Sequence, residues 1–181
     1  MKKTIALLTA CALMLTLVLA GCAAKEDAPP AGRLTETYEA VKAAYGDDYM
    51  PAYMLTSEEF TEQYGVDLDD VADYIAEQAL ISFHVDRFVG IVAKPDRAEA
   101  VYDALVQFRE NAITQSIQYP VNMPRVHASQ VVRVGDYVFF ILLGAQIPME
   151  IHSGENVEEN AKIFCEAENA KAVDAINSIL K

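Results

Sequence analysis

The sequence predicts an α+β fold: N-terminal helices followed by two ββα units forming a four-stranded antiparallel sheet with helices packed on one face. Three observations lead there. Residues 34–77 carry helical spacing and cap residues. Two stretches, 79–93 and 126–143, read as strand pairs. Each pair precedes a long helical run, at 96–119 and 156–180. The repetition lies in the architecture; the residues do not align as a sequence repeat.

The elements follow in chain order. "LTETYEAVKAAY" (34–45) is a short amphipathic helix ended by Gly46. "GDDYMPAYM" is a loop around Pro51. Thr56 with Glu59 three residues on forms a capping box, opening a helix that Gly65 stops. Asp67 caps a further helix through about Glu77. In "ALISFHV", Ala79, Ile81, Phe83 and Val85 alternate with Ser82 and His84, and "RFVGIVA" follows after a tight turn near Val85-Asp86. Asp96 is the N-cap of the next helix, with Glu99 as its capping partner. Val101, Leu105, Phe108 and Ala112 form its apolar stripe, and Tyr119-Pro120 ends it. From Val126 to Val134 the even positions are mostly apolar, and Arg125, His127, Ser129 and Arg133 make a polar face. Gly135-Asp136 is a two-residue hairpin turn leading into "YVFFILL", a strand buried on both faces. Asn156 opens the last helix, which runs to about Leu180.

Ahead of this domain stands an address. Lys2 and Lys3 precede an uncharged apolar run from Thr4 to Ala20, the pattern of a secretory signal. As a helix that run reaches roughly 25 Å, short of the roughly 30 Å hydrocarbon core, so an uncleaved anchor would need snorkelling or bilayer thinning. Leu19-Ala20-Gly21-Cys22 resembles the bacterial lipobox. That resemblance implies diacylglycerol transfer to the Cys22 thiol and cleavage before Cys22. Leu8-Thr9-Ala10-Cys11 fits the pattern in part, but cleavage there would leave only about six apolar residues upstream, below the roughly 7–15 of a normal apolar region. The expected organisation is a signal peptide at 1–21, a lipidated cysteine and flexible spacer at 22–33, and one α+β domain at 34–181. Two acyl chains suffice for stable anchoring. The expected location is the outer face of the cytoplasmic membrane, with the domain facing the cell wall or exterior.

Charge narrows the partners. The formal charge is −13, and loss of Lys2 and Lys3 with the signal takes it to −15. No basic stripe is present to displace counterions, which excludes nucleic acid. The expected ligand is a protein, a small molecule or a glycan. Cys11 departs with the signal and Cys22 is acylated, so Cys165 is the thiol left and no intramolecular disulfide forms. Beside Phe164 on the apolar side of a helix, Cys165 reads as a buried structural thiol.

No residue pattern specifies catalysis. His84, His127 and His152 lack metal-ligand spacing. "DLDDVADYIAEQ" resembles a calcium loop but carries Ala72 at its sixth position and Gln78 at its twelfth. There is no G-x-S-x-G, no glycine-rich phosphate loop and no expected cofactor or metal. His152-Ser153 in "HSGEN" reads as loop. The remaining candidates are weak ligand-site residues. His84, Asp86 and Arg87 cluster where an imidazole and a carboxylate on one strand face could hydrogen-bond. Arg125, His127 and Arg133 form one local basic patch on a strand face, suited to a carboxylate or to surface ion pairs. Six of the nine tyrosines fall between Tyr38 and Tyr74 and pack as core rings with polar tips, or else form a sugar-stacking platform.

"HVDRFVGIVAK", the helix ending "SIQYP", "VVRVGDYVFFILLG" and "VDAINSIL" resemble the uncharacterised lipoproteins of Gram-positive gut bacteria called domain of unknown function 4358. The resemblance covers roughly residues 60–181 and the lipobox. It implies an exported, lipid-anchored domain and brings no assigned activity, so no catalytic residue carries over. Together these readings predict a membrane-tethered binding or interaction module. The alternative is a cell-envelope hydrolase with a His84/Asp86 acid–base pair.

Overall fold

A computed structural model describes residues 32–81, 83–115, 117–153 and 155–181. The expected signal peptide, Cys11, Cys22 and most of the spacer lie outside these residues. Helix α1 spans Gly32–Tyr45, β1 Pro51–Met54, α2 Ser57–Tyr64, β2 Val71–Ala79 and β3 Arg87–Ala93. Helix α3 (Ala98–Thr114) and the short α4 (Met123–Ala128) precede the hairpin of β4 (Gln130–Val134) and β5 (Tyr137–Leu142). A single turn, α5 (Met149–His152), leads to the long α6 (Val157–Leu180).

The expected four-stranded sheet is corrected to five strands. They are all antiparallel, in the order β1-β2-β3-β5-β4. The added members come from residues read as loop and helix. Pro51–Met54 pairs at the sheet edge, where proline's missing N–H is tolerated. Val71–Ala79 pairs with both β1 and β3. A bulge between Val71 and Asp73 explains the misreading. The extra residue resets the alternation, so Val71, Tyr74 and Ala76 pack on one sheet face and Ile75 on the other. In sequence, Val71, Tyr74 and Ile75 then stand at i, i+3 and i+4, the spacing of a helix. Asp67 does cap, but only a single 3-10 turn at Leu68–Asp70, its side chain accepting from the Asp69 N–H at 2.9 Å.

The helices also cover both sheet faces rather than one. Helices α2 and α3 cover the first core, built on Phe60, Tyr64, Val89, Ile91, Leu105, Val138 and Phe140. Helices α1 and α6 cover the second, built on Leu34, Tyr38, Val41, Phe88, Phe139, Ala172 and Ile176. Two covered faces explain why every residue of β5 is buried, as expected for "YVFFIL".

Local chemistry accounts for the rest. The Thr56/Glu59 capping box forms in both directions, and Gly65 takes the left-handed conformation (φ 66°) that ends α2. Helix α3 starts two residues later than expected, because Asp96 adopts φ 65° and supplies no cap. It ends at Thr114, before Tyr119. Val126–Ala128, read as the start of a strand, belong to helix α4, which has Pro124 in its first turn. Of "ALISFHV", Ala79 ends β2, while Leu80, Ile81 and Phe83–Val85 lie outside the strands, and the Ala79 N–H donates to the Asp86 carbonyl at 3.0 Å.

Candidate functional site

The sheet places Arg87 at the start of β3, where odd positions face the first core with Val89 and Ile91. Tyr64 ends α2, and Phe108 lies on the α3 stripe. These three side chains line a groove of about 530 Å³ between α2, α3 and the sheet. That size lies within the roughly 300–1,000 Å³ of small-molecule sites.

Its walls are apolar. The Tyr64 and Phe108 rings sit 4.4 Å apart, and Phe108 meets Phe140 edge-on at 5.1 Å. The Arg87 guanidinium lies 5.8 Å from the Phe108 ring centroid, stands beside the Tyr64 hydroxyl and makes no ion pair among the described residues. The Tyr64 hydroxyl is buried without a protein partner, at 2% exposure for the residue. Burial pushes its pKa up, and the Arg87 charge, with the Arg87 and Gln63 side-chain donors close to the oxygen, opposes the shift. At the rim the Asn111 carboxamide oxygen accepts from both Gln107 and Gln115 at 3.2 Å, an i±4 ladder along α3. Glu62 also lines the groove but forms no ion pair with Arg87.

The other expected site residues go elsewhere. Asp86 is almost wholly buried and pairs with Arg125, which also donates to the carbonyls of Gly144 (2.9 Å) and Ala145 (2.8 Å). Burial raises the Asp86 pKa, with Arg125 pulling the other way. Around this pair Glu168 accepts from the Ala145 N–H, and Asn169 bridges Leu143, Ala128 and Cys165. Gly144 is held against Glu168, where an added Cβ would meet that residue's Cβ at 2.5 Å. The cluster ties the segment after β5 to α4 and α6 and leaves Asp86 Oδ2 buried without a protein partner. Cys165 is buried beside it, its thiol pushed up to about 11 by desolvation.

His84 makes no hydrogen bond to Asp86. It lies in the loop before β3 and lines a small cavity of about 140 Å³ with His152, Asn122 and Arg125. The basic patch does not assemble. Arg125 points inward, His127 is exposed on α4, and Arg133 pairs with Glu99 from β4. The six tyrosines do not form one platform either. Tyr38 and Tyr49 both donate to Glu77 at 2.9 Å, Tyr45 to the Glu168 carbonyl and Tyr53 to Glu59.

Of the groove, sequence reasoning found Arg87 and the Phe108 stripe. It missed Tyr64 as a site residue and the Gln107/Asn111/Gln115 ladder, although the i, i+4, i+8 amides stood in the sequence as a polar line.

Fold and groove define a small α+β domain with one sheet, two covered faces and a cleft suited to binding. The family described as Domain of unknown function (DUF4358) matches residues 44–143, more than half of the chain, and the protein belongs to it. The match runs from β1 through β5 and contains the whole groove. No curated protein and no solved structure matches the chain. Among the described residues no helix is long and apolar enough to cross a membrane.

Proposed function

We propose that this protein is a membrane-tethered extracytoplasmic binding module, anchored through diacylglycerol on Cys22, whose ligand occupies the groove between α2, α3 and the sheet. The observation that carries the binding reading is the groove itself. It is a largely apolar cleft lined by a guanidinium that has no counter-ion among the described residues and by a tyrosine whose hydroxyl has no protein acceptor. Polar groups left open in an otherwise apolar site are what a ligand's own polar atoms satisfy. The lipobox supports the tether. Helix α1, which follows the spacer, packs on the sheet face opposite the groove.

Mass spectrometry of the protein isolated from its own membranes tests the anchor. The expected N-terminal peptide begins at Cys22 and carries the mass of a diacylglyceryl group. A peptide retaining Met1–Gly21 would overturn it. Amide hydrogen exchange on the same material, with and without a library of small apolar and amphipathic fragments, tests the binding. Protection confined to α2, α3 and β3 is expected, and a groove silent to every fragment would sink the reading.

A further inference from the structure

We propose that the groove is built for a carboxylate joined to an apolar body, with the carboxylate on Arg87 and the Tyr64 hydroxyl and the body against Phe108 and Phe140. The inference rests on the groove being a binding site and names what it binds.

The arginines give the first argument. Arg97, Arg125 and Arg133 pair with Asp70, Asp86 and Glu99, while Arg33 and Arg109 donate to backbone carbonyls. Among the described residues Arg87 has no carboxylate partner, in a chain with 27 acidic residues. Its side chain lines the cleft, with the guanidinium 5.8 Å from the Phe108 ring centroid. A guanidinium presents two parallel donors that match a carboxylate.

The second argument is the Tyr64 hydroxyl, a donor buried on the same wall with no protein acceptor. Left alone it is a cost to the fold; a bound anion would accept from it. Third, the donors are few and the walls are aromatic. One guanidinium and one hydroxyl suit a monoanion; a phosphate dianion would call for more positive charge. The Tyr64, Phe108 and Phe140 rings suit an aromatic or acyl body. The amides of Gln107, Asn111 and Gln115 line the groove without charge, and Glu62 is its one lining carboxylate.

The test uses the mature lipidated chain in nanodiscs, read against empty nanodiscs by ligand-observed NMR. The probes are 3-phenylpropionate, the matching alcohol 3-phenylpropanol and the amine 3-phenylpropylamine. The carboxylate is expected to bind about tenfold or more tighter than the alcohol, and the amine weakest. Arg87→Gln is expected to erase that preference and Arg87→Lys to keep part of it. Tyr64→Phe should weaken the acid without weakening the alcohol equally. Circular dichroism confirms that each variant is folded. Equal affinity for acid and alcohol, unaffected by Arg87→Gln, would refute the carboxylate and leave the groove a binding site. Failure of the acid while neutral or cationic fragments protect the groove would refute it in the same way; a groove silent to all of them refutes both readings. A phenylalanine-terminated tripeptide and its C-terminal amide distinguish a peptide terminus from a free acid as the source of the carboxylate. Binding of the amide as tightly as the acid would count against the proposal.

Discussion

Tyr64→Phe should make this protein more stable, although it removes a polar group from a buried side chain. The ring packs between Phe60, Phe108 and Phe140, with centroid distances of 5.7, 4.4 and 6.3 Å, and phenylalanine preserves all three contacts. The hydroxyl gives up water on folding and gains no protein acceptor. An unsatisfied buried polar group costs about 1–3 kcal/mol. The loss of one oxygen's packing returns part of that, so a net gain of about 1 kcal/mol is expected. At about 2.1 cal/mol/K per residue, unfolding a domain of about 150 residues carries about 0.3 kcal/mol/K, and the midpoint should rise by about 3 °C. Urea unfolding followed by circular dichroism gives the same quantity at constant m. A lower midpoint with unchanged m would refute the reasoning, because it would mean the hydroxyl is satisfied in the native state. The expected sign also separates function from stability: a residue that weakens ligand binding when changed, while its loss strengthens the fold, is kept for the ligand.

Two further outcomes test the cluster behind the groove. Gly144→Ala should destabilise by more than about 2 kcal/mol, because its Cβ would collide with Glu168 and displace the Ala145–Glu168 hydrogen bond; a midpoint within experimental error of wild type in urea would refute this. Asp86 has a native pKa raised above its unfolded value, chiefly by burial, so the folded state holds a proton that the unfolded state releases. Its contribution to stability is therefore full below about pH 4, the unfolded value, and is lost as pH rises through the raised native value. Denaturant midpoints of wild type and Asp86→Asn across that window should show the wild-type advantage shrinking with rising pH, and an advantage that grows would mean the Arg125 charge outweighs burial.

How much of this was legible in the sequence depended on how local the cause was. The Thr56/Glu59 capping box, the Gly65 stop and the Gly135-Asp136 turn were readable because each is set by residues within a few positions of one another, whereas Asn156, expected to cap the last helix with Glu159, is left-handed and makes no side-chain cap. The burial of Cys165 and of the β5 strand followed from apolar runs. What the sequence by itself determined was therefore the α+β class, the ends of several elements and the resemblance to the family. The tertiary structure alone decided the rest. Val71–Ala79 is a strand because β1 and β3 supply hydrogen-bond partners on its two sides, a stabilisation that no local propensity encodes, and its bulge disguises it as a helix. Pairing decided the site in the same way. Asp86 stands two residues from His84 and thirty-nine from Arg125, yet the fold gives it to Arg125. Arg87 was one weak candidate among six until packing left it without a counter-ion beside a tyrosine hydroxyl with no acceptor. Electrostatic partnership acts through space across elements distant in the chain, so which charges are spent within the fold and which remain for a ligand is settled only when the chain has closed on itself.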